Sequence, residues 1–541
     1  MGSIATAPTS GRRADTVGVR VSPRTAVAAF FAGLVLLGVA TYRDYGVSWD
    51  EPGYYEYGQL TKDFYVDGDR SYETFLNLRF YGPAVPLLHA VVTDAVDPEP
   101  VDELLLAHLV NYLLFVAGVF AFYCLVRRQT ESRGWAILGA CFFVLSPRIF
   151  SHAFVNPKDV PFLALMVVCM ALLVRYLDSG RRWLLVALGV ATGVLIDIRV
   201  VGFMVVAFVF AALLAEAVLR DRVRSPLAAV VPAWIFLGTL LPVAVLGWPW
   251  LWADPIGRFR GAISQMSDFP VGTENLMAYR GVITSVESPP WHYFPVWIGI
   301  STPVPYLVLA AVGVAAALAR GPLAAYRTGG RERHEWLYLA WLLGPPIVPI
   351  LLDSPVYDEW RHISFVYPAL LMFAVLGARR LWTAGWSRRT RALVWVGGGL
   401  SALWLGWVAV TMVQLHPYQA VYFNELVGGT AGANGRYEMD YWGLSYREGL
   451  AHLLDQHPDE SLTVFACTPP GAFNAMLLPG ADRLRFTSDL EQADFALCTP
   501  KGAEVIRGKG ETYLPQYPTI MTVRRDGATL LFVKDLRQGA S

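Results

Sequence analysis

Two adjacent carboxylates, Asp50 and Glu51, follow the first apolar run of the sequence. An aromatic run begins three residues further on, with Tyr54 and Tyr55 as candidate substrate contacts. A carboxylate at a boundary between water and lipid is partly desolvated, which can raise its pKa towards the range useful for a general base. The pair therefore predicts acid–base chemistry, with Asp50 as the first candidate. The alternative is a solvated loop in which the pair caps the next helix.

A second polar constellation surrounds a proline-punctuated break between two apolar runs. It brings together Arg148, His152, Asn156, Lys158 and Asp159. Such a set is costly to place near lipid, and clusters of this kind usually line a cavity. The alternative is an Asn-Pro turn in which Lys158 snorkels to the interface and Asp159 starts the next helix near its positive end. We favour the functional interpretation.

Further cations stand at the ends of later apolar runs, namely Arg199, Arg361 and His362. Arg199 lies two residues after Asp197, so an intramembrane ion pair explains both without catalysis. An interfacial anchor paired with one of the two acidic residues just before it explains Arg361 equally well. Each arginine therefore carries a functional and a structural interpretation.

The connection 248–293 begins with Trp248, Trp250 and Trp252 and ends near His292. Tryptophans at this position are typical of an interfacial belt, with sugar stacking as the alternative. The connection is long enough to gate a site or bind an acceptor. His292 with a nearby carboxylate could hold a divalent cation, but no ligand spacing supports this. We predict no metal site.

The composition indicates the elements that must position these residues. Of 541 residues, 55% are hydrophobic and 16% are charged, whereas soluble proteins carry about 25% charged residues. The net charge of zero argues against a nucleic-acid partner. A membrane-spanning helix needs about 20 apolar residues. Runs of this kind predict eleven spans, at 25–42, 103–126, 134–151, 159–177, 183–198, 200–219, 226–247, 294–319, 335–352, 362–378 and 392–414.

Arginine-rich connections alternate with acidic ones along these spans. The positive-inside rule then places the N-terminus in the cytoplasm of a multi-pass protein of the plasma membrane. Residues 1–24 are predicted to be a disordered cytoplasmic tail, and 25–414 the membrane domain. The acidic connections, among them 43–102 and 248–293, are predicted to lie outside.

Eleven crossings place residues 415–541 on the outer face, where the composition changes to short strand-like runs. Asp526-Gly527 is a turn signal inside a hairpin candidate around Met521–Val533. We therefore predict a small α/β domain outside the membrane. Cys467 and Cys498 end two of its predicted strands, and a disulfide between them is left open.

The order of the motifs resembles the GT-C superfamily, in particular its protein O-mannosyltransferase and aminoarabinose-transferase branch. The resemblance rests on Asp50-Glu51 after the first span and on the motif from Asn156 to Pro161 that opens the fourth. Tyr357–Pro368 looks like a later outer-face arginine motif of that branch, and Pro417–Gly429 and Asp440–Gly443 look like a bacterial subfamily.

The resemblance implies an inverting transfer of a sugar from a polyprenyl-phosphate carrier to a hydroxyl acceptor. Asp50 would be the general base or would orient the acceptor, Glu51 would support it, and Asp159 would hold the acceptor or a sugar hydroxyl. A phosphate leaving group needs positive charge. The residues predicted to supply it are Lys158, Arg148, Arg199, Arg361 and His362. Those predicted to contact the acceptor or sugar are Tyr54, Tyr55, Asn156, His152 and His292.

Two other classes of function compete with the enzyme. A transporter or flippase of an anionic or lipid-linked substrate would use the membrane charges as a path, but transporters commonly show repeats and midplane sites. An envelope sensor or assembly protein would not need Asp50 or Asp159. The expected partners are the bilayer, a lipid-linked sugar and a protein, glycan or lipid acceptor. No cofactor is predicted beyond the donor, with a divalent cation as the alternative.

Overall fold

The computed structural model describes residues 22–219, 226–267, 276–384, 387–501 and 513–537. Residues 1–21 of the predicted cytoplasmic tail lie outside this part of the chain. The helices of the membrane domain are α1 Pro23–Thr41, α2 Glu51–Asp67, α3 Ala84–Val96, α4 Pro100–Thr130, α5 Arg133–Val144, α6 Pro147–Val155, α7 Asp159–Ser179, α8 Trp183–Ile198, α9 Met204–Leu219, α10 Pro226–Gly247, α11 Pro255–Ser267, α12 Tyr293–Ser301, α13 Val304–Arg320, α14 Pro322–Arg327, α15 Arg333–Leu351, α16 Tyr367–Thr383 and α17 Arg388–Leu415. A short hairpin, β1 Leu276–Tyr279 and β2 Val282–Ser285, follows α11.

All eleven predicted spans are helical. The length and hydropathy of the helices support a membrane crossing for some of these spans but not for all of them. Within the described ranges, seven helical segments are long and apolar enough to cross a membrane. An eighth crossing results if α5 and α6 form one span, although the chain bends by 68° between them. The predicted span 183–198 is a shorter helix, and 294–319 is broken into α12 and α13. The chain is a multi-pass membrane protein, while the total of eleven crossings stays a prediction.

Charged residues from alternate connections meet at two separate places, as the predicted topology requires. Asp178 at the end of α7 binds Arg128 of α4 at 2.6 Å and Arg333 of α15 at 2.8 Å. Arg333 also pairs with Glu216 of α9 at 2.9 Å. A second group, described below, forms where α2 and α7 begin. Residues assigned to one face therefore do lie together, and which face is outward stays a prediction.

Glycines allow a close helix contact in the membrane domain, between α13 and α16. A Cβ on Gly313 would lie 2.2 Å from the Phe373 carbonyl oxygen, and one on Gly377 would lie 1.9 Å from that of Leu309. Membrane helices associate largely through packing, and small residues let their backbones approach. This contact packs the middle and second half of α16 against α13, and the turn of 3₁₀ helix that begins at Arg361 leads directly into α16.

The C-terminal segment folds as the predicted α/β domain. Its elements are α18 Gly429–Ala433, α19 Tyr446–Gln456, β3 Leu462–Ala466, α20 Pro470–Ala475, β4 Leu484–Thr487, β5 Phe495–Cys498, β6 Thr519–Arg525 and β7 Ala528–Asp535. The sheet order is β4-β3-β5-β7-β6, with β3 parallel to β4 and β5. The predicted hairpin is confirmed as β6–β7, and its turn residues Asp526 and Gly527 both have positive φ angles, of 47° and 75°.

This domain holds the segment that leads to Asp50. The side chain of Asn474 in α20 binds both backbone groups of Val47, accepting from its N–H and donating to its carbonyl at 2.9 Å each. Arg447 of α19 donates to the carbonyl oxygens of Arg43 and Tyr45. The domain therefore positions the first candidate catalytic loop directly.

Cys467 and Cys498 form a disulfide across 31 residues, which resolves the alternative left open by the sequence. Closing a loop of this length is expected to stabilise the domain by about 3–4 kcal/mol. We expect the double variant Cys467→Ala/Cys498→Ala to lower the unfolding temperature and to speed proteolysis of the C-terminal domain. Reductant should destabilise the wild type and a Cys124→Ala control, whose thiol is free, but not the double variant. Equal sensitivity of all three to reductant would contradict this prediction.

Candidate active site

Asp50 lies at the N-terminus of α2, where it faces Lys158. The Oδ2 atom of Asp50 is 2.9 Å from the Lys158 Nζ atom. That ammonium group lies 5.0 Å from the ring centroid of Tyr54 and 5.2 Å from that of Tyr81. Aromatic faces stabilise a desolvated cation. The pair is therefore built into the structure rather than formed between mobile surface groups.

Asp159 begins α7 directly after the break predicted at Asn156-Pro157. The Oδ1 atom of Asn156 accepts hydrogen bonds from the backbone N–H groups of Lys158 and Asp159, at 3.2 and 2.8 Å, and so caps the helix. Its amide nitrogen donates to Asp159 Oδ2 at 3.0 Å. Arg199, in extended conformation between α8 and the turn Val200–Phe203, pairs with the other oxygen of Asp159. Each residue of this group is positioned by a break in a helix.

Arg361 joins three carboxylates. Its Nη1 atom lies 3.6 Å from Asp50 Oδ2 and 3.3 Å from Asp159 Oδ2, and its Nη2 atom lies 3.1 Å from Asp358 Oδ2. The guanidinium group also lies over the rings of Tyr357 and Trp442. Arg361 is 5% exposed, so it does not act as a surface anchor, although it does pair with Asp358.

Asp358 links this group to the C-terminal domain. Its Oδ1 atom pairs with the ammonium group of Lys501, which follows β5. Asp358 and Glu359 have φ angles of 53° and 61°, in the left-handed region that non-glycine residues rarely adopt. Backbone strain of this kind tends to occur at functional sites. We call Asp50, Lys158, Asp159, Arg199, Asp358, Arg361 and Lys501 the charge cluster.

The charges of the cluster do not cancel. Four cations face three carboxylates, so the cluster as described is one positive charge in excess when all groups are ionised. Burial raises the pKa of Asp50, but the positive charges of Lys158 and Arg361 more than offset this and hold the pKa below its ordinary value. The expectation of a net rise in this pKa is therefore wrong, because the neighbouring cations outweigh desolvation.

Several buried polar atoms around the cluster have no hydrogen-bond partner among the described residues. They are Tyr54 Oη, Arg199 Nε, Arg361 Nε, His362 Nδ1 and Trp442 Nε1. Buried polar groups are nearly always satisfied, and those left bare commonly face a ligand or water. An excess positive charge beside unpaired donors, among them the Nε atoms of Arg199 and Arg361, is the arrangement expected of an anion-binding site.

Comparisons with known proteins bear on the fold that holds this cluster. The family model described as "Dolichyl-phosphate-mannose-protein mannosyltransferase" matches residues 102–248. The crystal structure of ArnT from Cupriavidus metallidurans in the apo state matches with a TM-score of 0.52 at 15% identity, covering 95% of this chain and 98% of that one. The Archaeoglobus fulgidus oligosaccharyltransferase in the apo form matches with a TM-score of 0.51 at 9% identity, covering 91% and 73%. The chain shares its fold with both of these structures. No curated protein matches it in sequence.

The predicted GT-C-like fold is thereby confirmed, and the matched family model supports the predicted class of enzyme, a membrane glycosyltransferase. The matched segment 102–248 contains Arg148, Lys158, Asp159 and Arg199. It therefore includes three residues of the charge cluster. The remaining members come from segments on either side of it.

Not every predicted site residue joins the charge cluster. Arg148 pairs with Glu359 and donates to the Tyr422 carbonyl oxygen at 2.9 Å. Tyr441 donates to Glu359 at 2.8 Å and contacts His152 Nε2 at 3.1 Å. Arg148 and His152 thus belong to a neighbouring buried network around Glu359, whose pKa is raised by burial.

Three other predicted residues point elsewhere. Glu51 is buried between His108 Nε2 and the backbone N–H of Ser48, at 2.6 Å each, so it holds the loop before Asp50. Tyr55 packs on an apolar cluster that includes Leu477 of the C-terminal domain. His292 contacts the hydroxyl group of Tyr279 at 2.8 Å in the β1–β2 region. His362, in contrast, lies beside the cluster against Tyr357.

The described residues contain no group of three or more His, Cys, Asp or Glu side chains suited to a metal ion. The alternative of a divalent cation at His292 gains no ligand from this part of the chain.

Sequence reasoning missed Lys501 and considered Asp358 only as a partner of Arg361. It also missed Glu438, which is buried with no hydrogen-bond partner for Oε2 among the described residues. Burial raises the pKa of Glu438 to about 7, against the opposing effect of Lys501. The signal available in the sequence was that Glu438 lies two residues before the motif Asp440–Gly443.

Proposed function

We propose that this protein is an inverting glycosyltransferase that moves a sugar from a polyprenyl-phosphate carrier to a hydroxyl acceptor at the outer face of the membrane. The observation that carries the proposal is the contact of Lys158 and Arg361 with Asp50. The cations that would bind the donor phosphate therefore lie in contact with the residue that would act as the base. The matched family model, whose description names a dolichyl-phosphate-mannose donor, supports the same chemistry.

The excess positive charge of the cluster suits the donor. A polyprenyl-phosphate sugar is a phosphodiester with a single negative charge, and the released carrier phosphate can carry a second one. Preorganised cations stabilise charge that develops on a leaving group. We assign this role to Lys158, Arg199 and Arg361, with His362 beside them. The forked guanidinium groups can bind two phosphate oxygens, whereas Lys158 supplies a compact charge.

The reaction then requires one displacement. The acceptor oxygen forms a bond to the anomeric carbon on the face opposite the phosphate, and the bond from that carbon to the phosphate oxygen breaks. The electron pair leaves with the carrier phosphate, and the acceptor proton passes to Asp50. Asp159, held by Asn156 and Arg199, orients the acceptor or a sugar hydroxyl, and Tyr54 borders the same space.

A transporter is the competing function, and the position of the charged residues at helix ends argues against it. Asp50, Asp159 and Arg361 all lie at the beginnings of helical segments. A transport path is expected to cross the midplane. Carboxylates paired with cations at helix ends place the site near one face of the membrane, and this position favours the enzyme over the transporter.

Transfer from a panel of radiolabelled polyprenyl-phosphate sugars tests the proposal, in membranes that contain the protein and in membranes that lack it. We expect one donor to be consumed, with label appearing in an acceptor fraction and free polyprenyl phosphate released in equal amount. Mild alkaline elimination of the product then distinguishes a serine- or threonine-linked sugar from a glycan or lipid product. No consumption of any donor would overturn the glycosyltransferase and favour transport.

A further inference from the structure

Lys501 belongs to the C-terminal domain but contacts residues of the membrane domain. It follows β5 by three residues, just beyond the disulfide at Cys498. Its ammonium group pairs with Asp358 and lies 5.6 Å from the ring centroid of Trp49 and 5.3 Å from that of Tyr441. Trp49 directly precedes Asp50. The side chain of Lys501 therefore extends from the C-terminal domain to the edge of the charge cluster.

Lys501 is also the cation of the cluster that solvent reaches most easily. Its side chain is 20% exposed, compared with 11% for Lys158, 7% for Arg199 and 5% for Arg361. Trp49 is 41% exposed on the same side. A charged ligand that enters from outside the protein would thus meet Lys501 before the buried cations.

Asp358 holds two cations through its two oxygens, Lys501 on Oδ1 and Arg361 on Oδ2. This is the contact that two oxygens of a phosphate group would make with the same pair. The carboxylate also sits on strained backbone, with a φ angle of 53°. Asp358 therefore occupies these cations in the absence of a ligand and competes with any anion that approaches them.

We propose that Lys501 binds the phosphate of the lipid-linked donor by exchanging Asp358 for a phosphate oxygen, so that the C-terminal domain supplies part of the donor site. This inference rests on the proposed function and extends it to a residue outside the membrane domain. The competing role of Lys501 is structural: its pair with Asp358 docks the C-terminal domain and contributes nothing to the ligand.

The two roles predict opposite effects for the two halves of the pair. We would measure binding of undecaprenyl phosphate, in detergent micelles at constant ionic strength, to the wild type, Lys501→Met, Lys501→Arg and Asp358→Asn. Phosphate binding by Lys501 predicts that Lys501→Met weakens affinity about 10- to 100-fold, the loss of one charge-assisted contact. Lys501→Arg should stay within about threefold, and Asp358→Asn should bind as tightly as the wild type or more tightly.

A docking role predicts instead that Lys501→Met and Asp358→Asn weaken binding equally, because both break the same ion pair. That result would overturn the inference. Arg485→Met removes an exposed cation from β4 of the same domain and should leave affinity unchanged. An equal loss in this control would show a general charge effect and would likewise overturn the inference.

Thermal unfolding keeps the test decisive if Asp358→Asn does not fold. Both roles predict that Lys501→Met unfolds at a lower temperature than the wild type without ligand, because its pair with Asp358 is lost in either case. Phosphate binding predicts in addition that Lys501→Met gains less from saturating undecaprenyl phosphate than the wild type does, whereas a docking role predicts an unchanged gain. If the wild type itself binds no undecaprenyl phosphate, the proposed function fails. If the wild type binds and Lys501→Met binds equally well, the inference fails while the proposed function stands.

Discussion

Asp50→Asn is expected to reduce sugar transfer by about a thousandfold while the protein folds normally. The substitution keeps the size of the side chain and its contact with Lys158 but removes the charge that accepts the acceptor proton. A positioned general base contributes about 10²- to 10⁴-fold to a rate. Transfer from the donor identified in the panel, with kcat measured at saturating donor, checks this expectation.

Asp44→Asn is the matched control for this substitution. Asp44 belongs to the same connection, but its side chain is about half exposed and pairs with His416 at 2.9 Å. Exposed ion pairs contribute little to stability, so this variant should transfer sugar at the wild-type rate. Full activity of Asp50→Asn, or an equal loss in Asp44→Asn, would remove Asp50 from the role of base.

The pH dependence gives a second test of the same residue. In the free enzyme, Lys158 and Arg361 hold the pKa of Asp50 below its ordinary value. A donor phosphate beside the same cations adds negative charge, which weakens their effect and raises the pKa of Asp50. The rate falls as pH decreases through the pKa of a base, so we expect the acid limb of kcat to lie at higher pH than that of kcat/KM. Acid limbs at the same pH would show that the donor phosphate does not share these cations.

Local sequence patterns predicted the framework of the site because each of them acts over a few residues. Asn156-Pro157 breaks and caps a helix, and this break places Lys158 and Asp159 at the start of α7. Hydropathy likewise predicted the end of the span 362–378 at which Arg361 stands, and it placed Asp50 in the connection that follows the first span. Joining these ends required only the assumption that they lie on one face of the membrane.

Side-chain direction was not available from the sequence in the same way. Asp50 and Glu51 are adjacent, but successive helical residues point about 100° apart. One therefore meets Lys158 while the other meets His108. Arg148 resembles a phosphate ligand in composition, yet the bend between α5 and α6 directs it to Glu359.

Contacts between distant segments were the least predictable part. Lys501 pairs with Asp358 across 143 positions of the sequence, and neither residue has a local pattern that indicates the other. The direction of the pKa shift of Asp50 was mispredicted for the same reason. That direction depends on Arg361, which lies in a turn of helix remote in the sequence, as well as on burial at the water–lipid boundary.

Arg361→Lys is expected to reduce transfer by about a hundredfold or more, although it keeps the positive charge. The guanidinium group contacts Asp50, Asp159 and Asp358 together, and a single ammonium group cannot reach all three. A forked cation that bridges a base and a phosphate positions both, and lysine does not replace arginine at such a site. Loss of this geometry should lower kcat more strongly than it raises the KM for the donor.

Because Arg361→Lys keeps the positive charge, a loss of activity in this variant can be assigned to the changed contacts and not to a loss of folding stability. Removing the charge altogether would leave three buried carboxylates short of a partner, which costs about 3–5 kcal/mol when a buried pair is broken. Arg43→Lys is the matched control, because Arg43 is mostly exposed and pairs only with Asp102 at 2.9 Å among its described carboxylate neighbours. It should keep full activity. If Arg361→Lys also transfers sugar at the wild-type rate, charge alone suffices at this position, and the shared contact with Asp50 and Asp159 is not what couples the donor to the base.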